Sequence, residues 1–223
     1  MAILSEPGKI LITGATHGIG KAAAELFCSR GWEVYGISGN GEDGRGAAME
    51  KTLPGFHYRV ADVSNEPEIS ALLGRIGQLD AAFNNAGTGI APQKLPEADI
   101  ARARRVIDVN LVGTLICMKH EIAHMPGSGV VVNNASLAAF KAATGADMSY
   151  SASKAGVLAL TAEAAANPEF AGRVSFFSIA PGYIETRMTA ADDKEAQKRR
   201  LPSRRLGQPA EAVSYTHLRA HET

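Results

Sequence analysis

The chain has 223 residues, of which 45% are hydrophobic and 21% charged, a composition typical of globular domains. Lys plus Arg and Asp plus Glu both number 23, so the formal net charge is zero, which argues against nucleic acid or an anionic membrane as a partner. No apolar segment approaches the roughly 18 residues of a membrane-spanning helix, and the N-terminal MAILSEPGK lacks the apolar stretch of a secretory signal.

Short apolar runs alternate with longer amphipathic segments along the chain. The runs predict strands at residues 9–13, 33–38, 56–61, 79–84, 129–135 and 173–179, and the longer segments predict helices at 18–30, 65–76, 98–125 and 148–167. Alternating strands and helices form parallel βαβ units, and continuous apolar strands fit a sheet covered on both faces. The sequence therefore predicts one α/β domain over residues 1–213, with the glycine-rich stretch 39–46 as a loop.

A glycine-rich loop, TGATHGIG over residues 13–20, joins the first predicted strand to the first helix. Gly14 permits the tight turn, Gly18 lets the backbone approach a pyrophosphate, and Gly20 lets the helix pack closely on the sheet. The N-terminus of the helix presents free N–H groups to an anion. The loop predicts a dinucleotide-binding site in a Rossmann-type, doubly wound sheet.

Tyr150 and Lys154 are four residues apart in the last predicted helix and therefore share one helical face. A free tyrosine has a pKa of about 10, too high for an acid/base at neutral pH. Stabilisation of the phenolate by the ammonium would lower that pKa. Lowering the pKa by about 3 requires roughly 4 kcal/mol of interaction that favours the phenolate over the neutral phenol. We predict that Tyr150 is the catalytic acid/base.

Further motifs accompany this pair at several places along the chain. They are Asp62-Val63 after the third strand, NNAG at 84–87 after the fourth, Asn110 in VIDVNLVGT, Ser136 after the fifth, YSASK at 150–154, and Pro181-Gly182 followed by Thr186. With the glycine loop, they resemble the short-chain dehydrogenase/reductase family from about residue 9 to about residue 213.

The resemblance implies an NAD(P)-dependent oxidoreductase that interconverts a carbonyl and a secondary alcohol. It assigns polarisation of the substrate carbonyl to Ser136 and proton transfer to Tyr150. Lys154 would also hold the nicotinamide ribose, and Asn110 would position a water that relays protons to solvent.

The resemblance also implies the residues that contact the cofactor. Asp62 would bond the adenine amino group and Thr186 the nicotinamide amide. The full set is Gly14, Thr16, His17, Gly18, Ile19, Gly20, Ser38, Asp62, Val63, Asn84, Ala86, Gly87, Tyr150, Lys154, Pro181, Gly182, Ile184 and Thr186.

The end of the second strand bears on the choice of cofactor. NAD-selective proteins of this fold carry an acidic residue there, which bonds the ribose 2′-OH. Ser38 occupies this position and Gly39 follows it, so no carboxylate repels a 2′-phosphate. The sequence favours NADP(H) over NAD(H), with His17 and Arg45 as possible helpers.

A competing motif lies in the long helix, where residues 120–124 read HEIAH and match the zinc-protease signature H-E-x-x-H. No well-placed third ligand follows, and the segment continues an amphipathic helix that ends before Pro126. We predict no metal site.

Two other functions remain open. A non-catalytic dinucleotide-binding regulatory protein on the same fold would not need the set Asn110, Ser136, Tyr150 and Lys154. An epimerase or dehydratase of the extended branch is disfavoured by the TGxxxGxG spacing and the short chain. Substrate identity is not encoded in any motif, although residues 88–99 and 183–205 are expected to shape the pocket.

The expected partner is a small carbonyl or alcohol substrate. The resemblance implies a homodimer or homotetramer if the C-terminus is complete. Residues 214–223 (SYTHLRAHET) depart from the family pattern, so we expect a non-native tail and a missing last strand. Cys28 and Cys117 lie far apart in apolar helical patterns, which indicates reduced thiols in the cytoplasm.

Overall fold

Six strands form one parallel sheet in the computed structural model, which describes residues 7–39, 41, 44–140, 146–190 and 193–214. The strands are β1 Lys9–Thr13, β2 Glu33–Ser38, β3 Phe56–Val60, β4 Ala81–Asn84, β5 Gly129–Asn134 and β6 Val174–Ile179. The helices are α1 Gly18–Ser29, α2 Arg45–Thr52, α3 Glu66–Ile76, α4 Ile100–Ile107, α5 Gly113–Ala123, α6 Met148–Ala166, α7 Lys194–Arg200 and α8 Pro209–Ser214. The predicted parallel α/β sheet is confirmed.

Both faces of the sheet are buried, which explains why its strands read as continuous apolar runs. In β1, Leu11 packs in one core cluster with α3 and α5. Its neighbours Ile10 and Ile12 pack in a second cluster with α1. Side chains alternate between the faces of a strand, so each strand serves both cores.

The strand order β3-β2-β1-β4-β5-β6 places β4 beside β1, on the side opposite β2. The chain thus changes direction across the sheet between β1 and β4. Ligands of such sheets bind in the crevice at this point, outside the carboxyl ends of the strands. Thr13, Asn84 and Asn134 end β1, β4 and β5 at this edge.

The long helix predicted over residues 98–125 is interrupted. It begins at Ile100 behind Asp99, whose side chain accepts a hydrogen bond from Arg102 N at 3.1 Å. A π-helical turn over Asp108–Val112 separates α4 from α5. Such turns are frequent at functional sites, and this one contains Asn110.

Helix α2 was not predicted, because its sequence RGAAMEKT buries only Gly46 and Met49. It begins inside the expected loop 39–46, directly after Gly44 with φ +64°. A Cβ at Gly46 would lie 2.3 Å from ring carbons of Tyr58, so glycine permits the close packing of α2 on β3.

Helix α8 reaches Ser214, the first residue of the expected atypical tail. The rest of that tail lies outside the described residues. None of the helices in the described ranges is long and apolar enough to cross a membrane.

Candidate active site

The glycine loop is shaped to receive a ligand at the switch point of the sheet. Gly14 has φ +66°, and a Cβ there would lie 2.9 Å from Ala86 Cα. Gly18 has φ +49°, and its Cβ would lie 3.0 Å from Thr186 Cγ2. Only glycine suits these conformations without strain, so the loop passes closely between Ala86 and Thr186.

Helix α1 begins directly behind this loop, and its first N–H groups have no partner within the helix. His17 stands at the N-cap in an extended conformation and makes no side-chain cap hydrogen bond. Its ring instead contacts Thr16 Oγ1 at 2.8 Å and Arg187 Nη1 at 3.2 Å. The N-terminus of α1 can therefore bind a pyrophosphate, and the loop fits a dinucleotide.

Two asparagines that sequence reasoning missed hold this loop in place. Asn85 Nδ2 donates to Thr13 O at 3.1 Å and to Gly14 O at 3.2 Å. Asn134 Nδ2 donates to Asn85 Oδ1 at 2.9 Å. Thr13 Oγ1 accepts from the backbone of Asn85 and Ala86, both at 2.9 Å. The available signal was the Asn-Asn pair that ends both β4 and β5.

Ser136 and Tyr150 come together at the carboxyl end of the sheet. Ser136 follows β5, and its hydroxyl lies near enough to the Tyr150 phenol to lower the pKa of that phenol. Tyr150 lies in the first turn of α6, which is capped by Asp147 Oδ1 accepting from Ser149 N at 2.8 Å. This capped first turn fixes the position of the phenol relative to β5.

The expectation that Lys154 lowers the Tyr150 pKa is wrong for the protein alone. Burial raises the pKa of Tyr150 above its ordinary value, and the hydrogen bond from Ser136 offsets only part of this. Lys154 Nζ is 5.8 Å from the ring centroid and donates to Asn134 O at 2.7 Å. Burial also lowers the pKa of Lys154, to about 8, because the interior penalises charge on either group.

Asn110 is fully buried in the π-helical turn. Its Nδ2 donates to Thr88 O at 2.9 Å and to Ser153 Oγ at 3.0 Å, and its Oδ1 accepts from Thr88 N at 2.8 Å. Ser153 Oγ in turn donates to Tyr150 O at 2.7 Å. Asn110 thus joins the loop after β4 to the start of α6.

Gly87 connects these groups to the cofactor side of the site. A Cβ at this glycine would lie 3.3 Å from Asn110 Oδ1 and 3.6 Å from Lys154 Nζ. The site therefore combines Asn110, Ser136, Tyr150 and Lys154, the four predicted catalytic residues, around one edge of the sheet.

The residues predicted at the adenine end are already engaged with protein groups. Asp62 accepts from Arg105 Nη2 at 2.6 Å and from Ser64 Oγ at 2.7 Å. Burial alone would raise the Asp62 pKa, but these hydrogen bonds outweigh it and lower the pKa. Ser38 Oγ contacts Tyr58 Oη at 2.6 Å, and Val63 is buried against Gly113.

Asn84 is not placed as expected for a residue lining the cofactor ribose. Its amide is buried and bonded to Glu121 and Asn133, so its side chain faces the core. The neighbouring Ala86 and Gly87 do reach the crevice.

The segment after β6 crosses the mouth of the site. Pro181 O accepts from Leu137 N at 3.0 Å, and Ile184 forms a bridge with Gly207, while Gly182 stands exposed before them. Ile19 packs at the edge of the core beneath the loop. Pro181, Ile184 and Thr186 are thereby held across from the glycine loop.

The zinc-protease interpretation of HEIAH lacks the required geometry. His124 Nδ1 bonds to His120 O at 2.7 Å, and His120 Nε2 contacts Glu66 Oε1 at 3.1 Å. Glu121 points into the core. Among the described residues, no group of three or more His, Cys, Asp or Glu side chains could hold a metal ion.

Comparison with known proteins agrees with this geometry. Residues 8–197 match the family model described as short chain dehydrogenase. The chain is 36% identical to the cis-4-hydroxycyclohexanecarboxylate dehydrogenase of Sinomonas cyclohexanicum, covering 92% of this chain and 87% of that protein. It is 37% identical to the mitochondrial borneol dehydrogenase of Lavandula x intermedia, covering 83% and 73% respectively.

Solved structures are similar over nearly the whole chain. The ligand-free aldohexose dehydrogenase of Thermoplasma acidophilum has a TM-score of 0.81 at 25% identity, covering 95% of this chain and 86% of that one. A dehydrogenase/reductase of Sinorhizobium meliloti 1021 has a TM-score of 0.85 at 23% identity, covering 97% and 88%, and supports the fold.

Proposed function

This chain belongs to the short-chain dehydrogenase/reductase family, and on that premise we propose that Tyr150 exchanges a proton with the substrate oxygen while Ser136 holds that oxygen. The protein is an NAD(P)-dependent oxidoreductase that acts on alcohol or carbonyl groups. The observation that carries the residue assignment is the contact of Ser136 with Tyr150, with Lys154 behind them.

A nicotinamide dinucleotide, when bound, accepts the hydride during alcohol oxidation and supplies it during carbonyl reduction. In oxidation, the ionised phenol of Tyr150 accepts the proton of the substrate hydroxyl, and Ser136 keeps the oxygen within reach by a hydrogen bond. In reduction, Tyr150 returns that proton to the developing alkoxide. We propose that Lys154, held by Asn134 O, favours the phenolate only when the site is occupied, because burial raises the Tyr150 pKa in the protein alone.

The proton relay through Asn110 remains a proposal. Both hydrogens of its Nδ2 are donated to Thr88 O and Ser153 Oγ, so a relaying water would bond the second lone pair of Oδ1. This oxygen and Lys154 Nζ both lie beside Gly87, which supports a path between them.

We propose a secondary alcohol on a six-membered or bicyclic ring as the substrate class. The relatives with this type of substrate include the two named above and a 2,5-dichloro-2,5-cyclohexadiene-1,4-diol dehydrogenase of Sphingobium indicum, 34% identical over 80% of this chain and 73% of that protein. Apolar groups lie at the mouth of the site: a Cβ at Gly89 would lie 3.6 Å from Tyr150 Cδ2 and 4.0 Å from Met188 Sδ. Met188 and Leu137 expose 53% and 39% of their surface.

We expect oxidation of cyclohexanol-type alcohols to exceed oxidation of linear secondary alcohols of equal carbon number. A rigid ring loses less conformational entropy in an apolar pocket, and the difference in kcat/KM should be on the order of tenfold. Initial rates with both alcohol series and the same oxidised cofactor measure it. Equal or better turnover of the linear series contradicts the proposed substrate class and leaves the oxidoreductase assignment intact.

We also propose NADP(H) as the preferred cofactor. Ser38 brings no carboxylate to the end of β2, and its hydroxyl contacts Tyr58 Oη. A cavity of about 430 Å³ between α1 and α2 is lined by Thr16 of the glycine loop, by Lys21 and Arg45, and by one carboxylate, Glu25, which pairs with Lys21 at 3.6 Å and leaves a net positive lining. Positive charge next to the ribose would favour a 2′-phosphate.

The variant Ser38→Asp tests this preference. A carboxylate at the end of β2 would repel the 2′-phosphate, so kcat/KM with NADP⁺ should fall at least about tenfold while that with NAD⁺ is kept. Steady-state rates with both cofactors measure it, and Ser70→Asp on the exposed side of α3 is the matched control. If the unaltered protein uses NADH ten times better than NADPH, the proposed preference is wrong.

We further propose a homo-oligomer in the cytoplasm. Val112 and Leu115 expose 40% and 49% of their surface at the start of α5, which supports contact with a second copy through this helix. Cys28 and Cys117 are free thiols, which supports a reducing compartment. Sedimentation of the protein and of Leu115→Glu tests the assembly.

A further inference from the structure

Glu121 is a charged residue type in a fully buried position. It lies in α5, exposes 0% of its surface, and neighbours Cys117 and Met118, which belong to the core between α5 and the sheet. No cation among the described residues forms an ion pair with it. A buried carboxylate without such a partner is costly.

The carboxyl group of Glu121 contacts a row of buried amides that crosses the sheet. Asn84 Nδ2 at the end of β4 donates to Glu121 Oε2 at 2.9 Å and to Asn133 Oδ1 at 3.0 Å. Asn133 Nδ2 in β5 donates to Thr161 Oγ1 of α6 at 2.9 Å. The row therefore links α5, β4, β5 and α6.

Two oxygens of this row, Asn84 Oδ1 and Glu121 Oε1, are buried and lack a hydrogen-bond donor in the described part of the chain. They belong to the same amide–carboxyl contact, and neither can donate to the other if Glu121 is ionised. One proton on Oε1 would give both oxygens a partner at once. The contact would then become a ring of two hydrogen bonds, because Asn84 Nδ2 already donates to Oε2.

We infer that Glu121 is protonated in the folded protein and donates from Oε1 to Asn84 Oδ1, and that this closed ring positions the ends of β4 and β5 beneath the cofactor site. Glu121 is then a positioning residue that acts through Asn84. The link to cofactor binding rests on the proposed function, whereas the protonation does not.

The electrostatic surroundings support a neutral Glu121. Burial raises its pKa to about 8, and the hydrogen bond from Asn84 lowers it only in part. On the same helix lies the thiol of Cys117, whose pKa burial raises well above the ordinary value. The strands β4 and β5 face it with the neutral Asn84 and Asn133.

The charged groups of the other elements around Glu121 are engaged elsewhere. Helix α3 faces α5 with Leu72 and Leu73, and its Glu66 pairs with Lys119 and His120. In the π-helical turn before α5, Asp108 is exposed. In α6, Lys154 Nζ donates to Asn134 O, and burial lowers the pKa of Lys154.

The strand ends held by the ring carry the anchors of the site. Asn84 is followed by Asn85, which binds the glycine loop at Thr13 O and Gly14 O. Asn133 is followed by Asn134, whose carbonyl holds Lys154 and whose amide holds Asn85. Ionisation of Glu121 removes one hydrogen bond of the ring and buries a charge, so both anchors lose support above about pH 8.

The test compares Glu121→Gln with the unaltered protein. A glutamine repeats the pattern of a protonated glutamate, because its amide can donate to Asn84 Oδ1 and its carbonyl can accept from Asn84 Nδ2. Glu121→Leu removes both hydrogen bonds, and Glu66→Gln replaces an exposed carboxyl as the matched control.

Three measurements are made. Infrared spectra without cofactor at pH 7 should show a protonated carboxyl band that Glu121→Gln lacks and Glu66→Gln retains. Because its pKa is raised, Glu121 keeps this proton in the folded chain at pH values at which the unfolded chain has already lost it. The free energy of unfolding in urea should therefore fall as pH rises from about 5 to about 8. The fall should be less steep in Glu121→Gln. Between pH 7 and pH 9 the Kd for NADP⁺ should rise about tenfold more in the unaltered protein than in Glu121→Gln.

The comparison between these two proteins removes the contribution of Lys154, which titrates in both. Absence of the carboxyl band at pH 7, or equal pH slopes of stability, overturns the protonation. If Glu121→Gln lacks the carboxyl band as expected but the pH profile of its Kd for NADP⁺ is identical to that of the unaltered protein, the positioning role is overturned. Infrared and urea measurements need neither cofactor nor substrate, so they remain decisive even if the proposed reaction is wrong.

Discussion

Replacing Tyr150 with Phe should abolish turnover while the fold and the cofactor affinity are kept. The substitution removes one oxygen, the phenol oxygen whose pKa Ser136 lowers, and leaves the aromatic ring in place. Loss of a positioned acid/base costs on the order of 10²–10⁴ in rate. Initial rates with a cyclic alcohol and NADP⁺ measure the loss, and tryptophan quenching measures cofactor affinity.

Tyr35→Phe is the matched control, because Tyr35 Oη bonds Glu33 at 2.8 Å near the start of β2, at the opposite edge of the sheet. It should leave kcat within about twofold. Since burial raises the Tyr150 pKa, alcohol oxidation should also accelerate with rising pH as the phenolate forms. A Tyr150→Phe enzyme within tenfold of the unaltered rate would show that another group transfers the proton.

The strands were predictable because the physics that forms them is local. A strand buried on both faces is mostly apolar, and the runs VVV in β5 and ILI in β1 satisfy this between polar turns. Helix α2 was missed because its stability depends on a distant residue. Its Gly46 matches the face of Tyr58 in β3, and no pattern within RGAAMEKT encodes that contact.

The four residues of the predicted catalytic set lie around one edge of the sheet, but the expected lowering of the Tyr150 pKa does not hold in the protein alone. The spacing of Tyr150 and Lys154 places them on one helical face, yet it does not weigh burial against charge. In the folded chain burial is the main influence on the pKa of both groups, and Lys154 Nζ donates to Asn134 O. The π-helical turn at Asn110 was equally invisible, because DVNLV has an ordinary helical composition.

The supporting residues were missed for a related reason. Asn85, Asn134 and Glu121 act on backbone atoms or on one another, so their roles emerge only when strands distant in sequence become neighbours. Glu121 was noticed only as part of HEIAH, whereas its carboxyl lies in the core against Asn84. Sequence motifs thus predict the reacting groups, and the tertiary structure shows which residues hold them in place.

The second large effect is expected for Gly20→Ala, which should abolish cofactor binding and destabilise the fold. A Cβ at Gly20 would lie 2.2 Å from Gly14 O and 2.5 Å from Asn85 Nδ2. The first neighbour is backbone, so no side-chain rotation relieves the clash. The start of α1 must move away from the loop, which should cost about 1–3 kcal/mol of stability.

Gly74→Ala is the matched control for Gly20→Ala, because both glycines lie in helices and a Cβ at Gly74 in α3 meets no atom within 4 Å. There the alanine should stabilise the protein by about 0.5–1 kcal/mol, since glycine loses more conformational freedom on folding. Urea unfolding measures both changes, and titration with NADP⁺ should show at least a hundredfold weaker affinity for Gly20→Ala alone, equivalent to about 2.7 kcal/mol. Unchanged affinity in a stably folded Gly20→Ala protein would mean that the pyrophosphate does not bind at the N-terminus of α1, and the cofactor site would have to lie elsewhere along the sheet.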